Sequence, residues 1–226
     1  MQKPFLLTIL FLISFVFQSV KASEKTHHQA LKDYFVAKLN VINQFMAENH
    51  KKVASEPKLL IDFVDTELLT VWSAKNTVRA MLGAKRWSEL DNSQQNQLVS
   101  AYEQTMRRYL FEVMSKYVGQ VAVVERLQLN GKANKGWLTV LLELPKLPDV
   151  TIDLKIYKEG DKQEFVVEKG GMDSSQQFSN WSIYDFRFQG ISFVKMKQSY
   201  FQNTYDERGF DALILDLYLK NQEFNK

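Results

Sequence analysis

The sequence predicts an α+β fold in which helices pack on one face of a curved, mostly antiparallel sheet. Three observations predict it. Apolar residues recur at helical spacing as far as Gly119, the period then changes to two through Phe188, and helical spacing returns after Gly190. Helices segregated from a run of strands in this way indicate α+β rather than alternating α/β architecture.

The elements follow in chain order. Leu31, Tyr34, Phe35, Leu39, Ile42, Phe45 and Met46 place one apolar stripe on a first helix over 31–48. Ser55 two residues before Pro57 has an N-cap arrangement, and Leu59, Leu60, Phe63, Val64, Leu68, Leu69 and Trp72 continue as a second amphipathic helix. A short third helix over 76–82 ends at Gly83. Ser93 is the expected cap of a long helix whose Leu98, Tyr102, Met106, Tyr109, Leu110, Val113, Met114 and Tyr117 run on to Gly119. Strands are expected over 121–129, 137–144, 150–157, 165–169 and 181–188, joined by turn-rich segments such as Asn130-Gly131 and Gly170-Gly171. Helices over 191–205 and 210–219 close the chain.

The N-terminus has Lys3 ahead of an apolar run over 5–17, followed by Val20-Lys21-Ala22, which is the layout of a secretory signal with a small-residue cleavage site. A run of 13 residues, apolar but for Thr8 and Ser14, falls short of the ~20 needed to span a bilayer as a helix. The expected division is therefore a signal peptide, 1–22, and one domain, 23–226. That domain is long enough for a sizeable core, and 45% hydrophobic residues with four Pro argue against disorder. Removing Lys3 and Lys21 from 29 basic and 26 acidic residues leaves 27 against 26, a net charge of about +1. Nucleic acid is an unsuitable partner for a chain so evenly charged. With no Cys there is neither a disulfide, nor a thiol nucleophile, nor a cysteine to carry a lipid anchor, and an exported domain relying on its core alone suits a bacterial periplasm.

Catalytic chemistry has little to work with. The three His, His27, His28 and His50, all fall in the first-helix region, with no thiolate or further imidazole to complete a metal site. Gly190-Ile191-Ser192 lacks the second Gly of a nucleophile elbow, so Ser192 reads as a helix cap. Gly170-Gly171 lacks the spacing of a dinucleotide or phosphate loop, and no cofactor is expected. The acidic pairs Asp62 with Asp65 and Asp149 with Asp153 fit solvated faces.

Two stretches carry a family resemblance. Residues 65–110 read DTELLTVWSAKNTVRAMLGAKRWSELDNSQQNQLVSAYEQTMRRYL, and residues 180–219 read NWSIYDFRFQGISFVKMKQSYFQNTYDERGFDALILDLYL. Gly83 before Trp87, Gln95, Trp181 with Tyr184-Asp185, Gly190-Ile191-Ser192, Phe201, and Gly209 with Asp211 and Leu213 form a set that resembles the toluene-tolerance, or MlaC-like, family of periplasmic phospholipid-binding proteins. The chain departs from it at Lys197-Gln198, where the family often has Tyr-Arg, and in the loop over 170–179, which is longer than typical.

The resemblance implies a monomeric periplasmic carrier, without cofactor, metal or catalytic residues, whose sheet and helices enclose an apolar cavity. Such a carrier would move phospholipid between an outer-membrane lipoprotein complex and an inner-membrane ABC transporter complex, maintaining outer-membrane lipid asymmetry. The side chains best placed to line its cavity are Trp72, Val78, Met81, Leu82, Met106, Leu110, Met114, Leu142, Leu154, Ile156, Ile183 and Phe186, on the inner faces of the short helix, the long helix and the sheet. Lys75, Arg79, Lys85 and Arg86 bracket the short helix and present cations to an anionic head group or to solvent. Two other readings compete: a binding module for another apolar solute such as a hopanoid or a solvent molecule, and a small hydrolase or isomerase, for which Tyr184 and Asp185 are the best candidates.

Overall fold

The structure is a computed structural model that describes residues 5–160 and 178–222, with side chains from residue 27 onward. The side chains of the expected signal segment, 1–22, the expected strand over 165–169 and most of the expected 170–179 loop lie outside the described residues. Among the described residues no helix is long and apolar enough to cross a membrane.

Among the described residues, six α-helices and five strands form an α+β fold. Helix α1 (Phe5–Val53) buries Leu31, Tyr34, Phe35 and Met46, the stripe expected from the sequence, and runs about a turn beyond its expected end. Helix α2 (Pro57–Phe63) begins on Pro57, whose missing N–H is one that a first turn cannot satisfy anyway. Glu56 is its N-cap, and Ser55 instead turns its hydroxyl back to the Lys52 carbonyl at 3.0 Å. The expected single helix through Trp72 breaks up: a π-helical turn (Val64–Leu68) and a 3₁₀ turn (Leu69–Val71) follow α2 before the backbone extends at Trp72.

Ser73 caps helix α3 (Ala74–Leu82), its hydroxyl accepting from the Asn76 backbone N–H at 3.4 Å. The short helix α4 (Ala84–Glu89) had no counterpart in the sequence pattern. Helix α5 (Asn92–Met114) is capped by Asp91 rather than Ser93. The Asp91 carboxylate accepts from the Gln94 N–H at 2.8 Å and Gln94 reaches back to the Asp91 N–H at 3.1 Å, a reciprocal capping box that Ser93 cannot form. The helix ends at Met114, a turn earlier than expected.

Strands β1 (Val121–Leu129), β2 (Lys135–Glu143), β3 (Val150–Lys158), β4 (Trp181–Phe188) and β5 (Ile191–Ser192) make one antiparallel meander in sequence order. Gly136 is demanded by a close approach: a Cβ there would lie 2.2 Å from the Gln128 carbonyl oxygen. Helix α6 (Phe193–Gln222) joins the two expected terminal helices across a kink at Gly209, whose φ of 85° and ψ of 176° belong to a region open essentially to glycine alone.

Alternation fixes what each sheet face carries. Leu138, Val140, Leu154, Ile156 and Ile183 pack against Leu31, Tyr34 and Phe35 of α1. The opposite face carries Trp137, Lys155 and Arg187, with the Arg187 guanidinium 3.7 Å from the Trp137 ring centroid. Helix α1 also closes the sheet edge at β1. The Asn43 amide donates to the Ala122 carbonyl at 2.8 Å and its oxygen accepts from the Ala122 N–H at 3.0 Å, replacing the partner strand that β1 lacks there.

Candidate functional site

The apolar interior has three parts. The first lies among α3, α5 and α6 and contains Val78, Met81, Leu82 and Met106, all at most 3% exposed. The second, between α1 and the sheet, holds Ile156 and Ile183, with Leu154 at its margin. The third, among α1, α2 and the C-terminal part of α5, is bordered by Met114. Two expected residues bridge the parts: Trp72 packs on the first and second, and Leu110 on the first and third. Phe186 meets Trp72 edge-on at 6.3 Å and stacks on Phe193 of α6 at 4.9 Å, so the sheet is coupled to both helical layers through aromatic rings. The twelve side chains expected to line one cavity are thus spread over three connected parts of the apolar interior and its margin, six of them buried and six half-buried.

Met114 and Leu142 come together around an opening. An apolar pocket of about 160 Å³ lies between α1, the end of α5 and the first residues of β1, lined also by Ile42, Met46, Tyr117 and Ala122. Of its polar side chains, Asn43 is engaged with Ala122 and the Gln120 oxygen accepts from the Val118 N–H at 2.6 Å, while the rest of the lining is aliphatic apart from Tyr117. Val113 and Val118 stand beside it, each more than 70% exposed. Ile42 and Met46 were legible as one helix face, four residues apart, but the contact between that face and the end of α5 has no signature in the sequence.

Of the groups that a catalytic reading would need, the Tyr184 ring packs edge-on against Tyr157 at 5.4 Å, and the acidic candidates and Ser192 are hydrogen-bonded. Asp185 is buried and uses both oxygens to start α6, accepting from the Ser192 hydroxyl at 2.7 Å and from the Val194 N–H at 3.0 Å. Ser192 in turn caps the helix by accepting from the Lys195 N–H at 3.1 Å. Asp62 pairs with Lys58 at 2.8 Å, Asp65 with Arg107 at 2.5 Å, and Asp153 with Arg187 at 3.3 Å. His28 reaches the Leu127 carbonyl at 3.2 Å and His50 the Met46 carbonyl at 3.0 Å. Burial pushes the Tyr102 phenol well above its ordinary range, which keeps it neutral.

These features define an α+β protein with helices against one sheet face and an apolar opening at the end of that interface. The family model described as MlaC protein matches residues 37–218, and the chain belongs to the MlaC family. Among solved structures, it is similar to the phospholipid-binding protein from Ralstonia solanacearum, determined in complex with a phospholipid. The TM-score is 0.61 at 16% identity, covering 88% of this chain and 98% of that one, so the likeness is one of fold. No curated protein matches the chain.

Proposed function

We propose that this protein is a soluble phospholipid carrier of the bacterial periplasm, moving lipid between an outer-membrane lipoprotein complex and an inner-membrane ABC transporter complex. The observation that carries the reading is membership of the MlaC family over residues 37–218, and the likeness in fold to a protein solved with a phospholipid supports it. The physical need for a carrier is plain: an acyl chain of about 14 methylenes costs on the order of 11 kcal/mol in water at ~0.8 kcal/mol per methylene. A site for such chains should be largely apolar, so that the lipid can leave again, and the pocket beside Met114 and Leu142 is lined chiefly by apolar side chains.

At about 160 Å³ this pocket falls below the ~300–1,000 Å³ of ordinary ligand sites, so loading a phospholipid there requires α1 to part from the sheet and from the end of α5. Leu142 beside it is only half-buried, as are Leu110 and Leu154 elsewhere in the apolar interior. The small volume also favours a second reading, a binder of a smaller apolar solute. Native mass spectrometry of the protein isolated from cells, followed by lipid extraction, separates the two. The carrier reading expects bound two-chain phospholipid, and a smaller apolar molecule in its place would establish the alternative.

A further inference from the structure

A cleft of about 490 Å³ lies on the other side of the sheet from α1, apart from the apolar pocket. One wall is a stripe of α3 and the turn after it, Asn76, Arg79, Ala80 and Gly83. The floor is the sheet, through Lys135, Tyr157 and Tyr184. Lys135 and Tyr157 are direct cross-strand partners and so share a face, while Gly136 and Ile156, one step along, belong to the face covered by α1.

The cleft is built for an anion. Arg79 projects from the helix and Lys135 from the strand opposite, and among the described residues neither side chain has a hydrogen-bonding or ion-pair partner. Lys155 adds a third cation on the same face, 5.2 Å from the Tyr184 ring centroid. The carboxylates nearby are committed: Asp153 to Arg187 at 3.3 Å, Asp185 to the start of α6, and Glu159 to the Tyr157 hydroxyl, which donates to it at 2.7 Å. Asn76 is oriented by Ser73 at 2.9 Å and by Tyr157, which holds the helix wall against the floor. The small residues Ala80 and Gly83 keep that wall low, and the volume exceeds what a lone inorganic ion needs.

We infer that this cleft binds a phosphate ester of glycerophosphate size, with Arg79 on the helix wall and Lys135 on the sheet floor contacting the phosphate. Two cations lining one cleft match a group with several charged oxygens, and the guanidinium fork takes two of them at once. Such an ester comes either from a lipid head group at a bilayer surface or from a soluble glycerophosphate. This is a second site, on the opposite sheet face from the apolar pocket, and it does not depend on the carrier reading.

The test uses the protein isolated from cells and two probes, sn-glycerol 3-phosphate followed by calorimetry and phosphatidylglycerol vesicles followed by co-flotation. Succinate is the carboxylate control. Binding to either probe is expected, weakened roughly tenfold by Arg79→Gln and by Lys135→Gln through loss of a charge-assisted contact, and unchanged in Lys116→Gln. Binding to the soluble probe alone assigns a free ester, and binding to vesicles alone assigns a head group. Both substituted side chains are exposed, so the variants should keep the parent melting temperature. No binding to either probe, equal binding of succinate, or full binding by the double variant overturns the inference. Lipid recovered from the same variants should match the parent, which keeps this result separate from the carrier proposal.

Discussion

Leu142 and Met81 are both apolar and were both expected to face a cavity, yet their surroundings differ. Met81 is wholly buried among α3, α5 and α6, so Met81→Ala should cost about 2–5 kcal/mol in urea unfolding. Leu142 is half-buried beside open volume, so in Leu142→Trp the ring can enter the pocket. That variant should lose less than about 1 kcal/mol, short of the ~1–3 typical of overpacking, while its bound lipid falls severalfold. An Leu142→Trp protein that unfolds like a core variant would contradict the assignment. The sequence revealed that both residues face inward, because periodicity reports a face. It could not distinguish packed from open surroundings, because that depends on which side chains of other elements arrive opposite. Tyr157 gives a second prediction at this scale: burial is the main cause that pushes its phenol up to about 12. The folded state thus favours the neutral form. Its contribution to stability is full below the unfolded value of about 10 and is lost as pH rises through about 12. Alkaline titration followed by tyrosinate absorbance should lose this late-titrating group in Tyr157→Phe, and the variant's stability should fall less over that interval.

At the scale of elements, strands were legible almost to the residue: β1 and β4 occupy the expected 121–129 and 181–188. Two-residue alternation and β-branched side chains are local signals, and here the tertiary structure agrees with them. Helix ends were less legible because several residues of the right type compete for each cap. Asp91 and Ser93 can both cap, and what decides is Gln94 three residues after Asp91, which completes the reciprocal pair. The π turn over Val64–Leu68 left no trace, since the same apolar spacing serves an α-helix. Gly209 was legible as a break between helices, and its role can be measured. Gly209→Ala has open space for its methyl group, but the backbone conformation should cost about 1–3 kcal/mol by urea unfolding. A neutral substitution would mean that the chain relaxes readily into a continuous helix there.

At the scale of the whole molecule, the α+β arrangement follows from where the apolar faces point, and the MlaC family match places the chain among proteins of that design. What periodicity could not convey is how the layers are fastened. Helix α1 is tied to the edge strand by Asn43, His28 and Lys32, polar side chains that meet β1 backbone groups at Ala122, Leu127 and Glu125. These ties lie along the interface that the proposed loading of a lipid would open. Asn43→Ala removes two hydrogen bonds at the mouth of the apolar pocket, so it should destabilise by about 1–3 kcal/mol and raise the rate of lipid exchange. Exchange that slows instead would mean that the path lies elsewhere. The central claim is that the protein carries phospholipid through water, and the most direct measurement is transfer of isotope-labelled phospholipid between donor and acceptor vesicles held apart by a protein-permeable membrane. Transfer should rise in proportion to protein concentration and fall severalfold with Leu142→Trp. Folded protein that leaves the label in the donor vesicles at every concentration would contradict it.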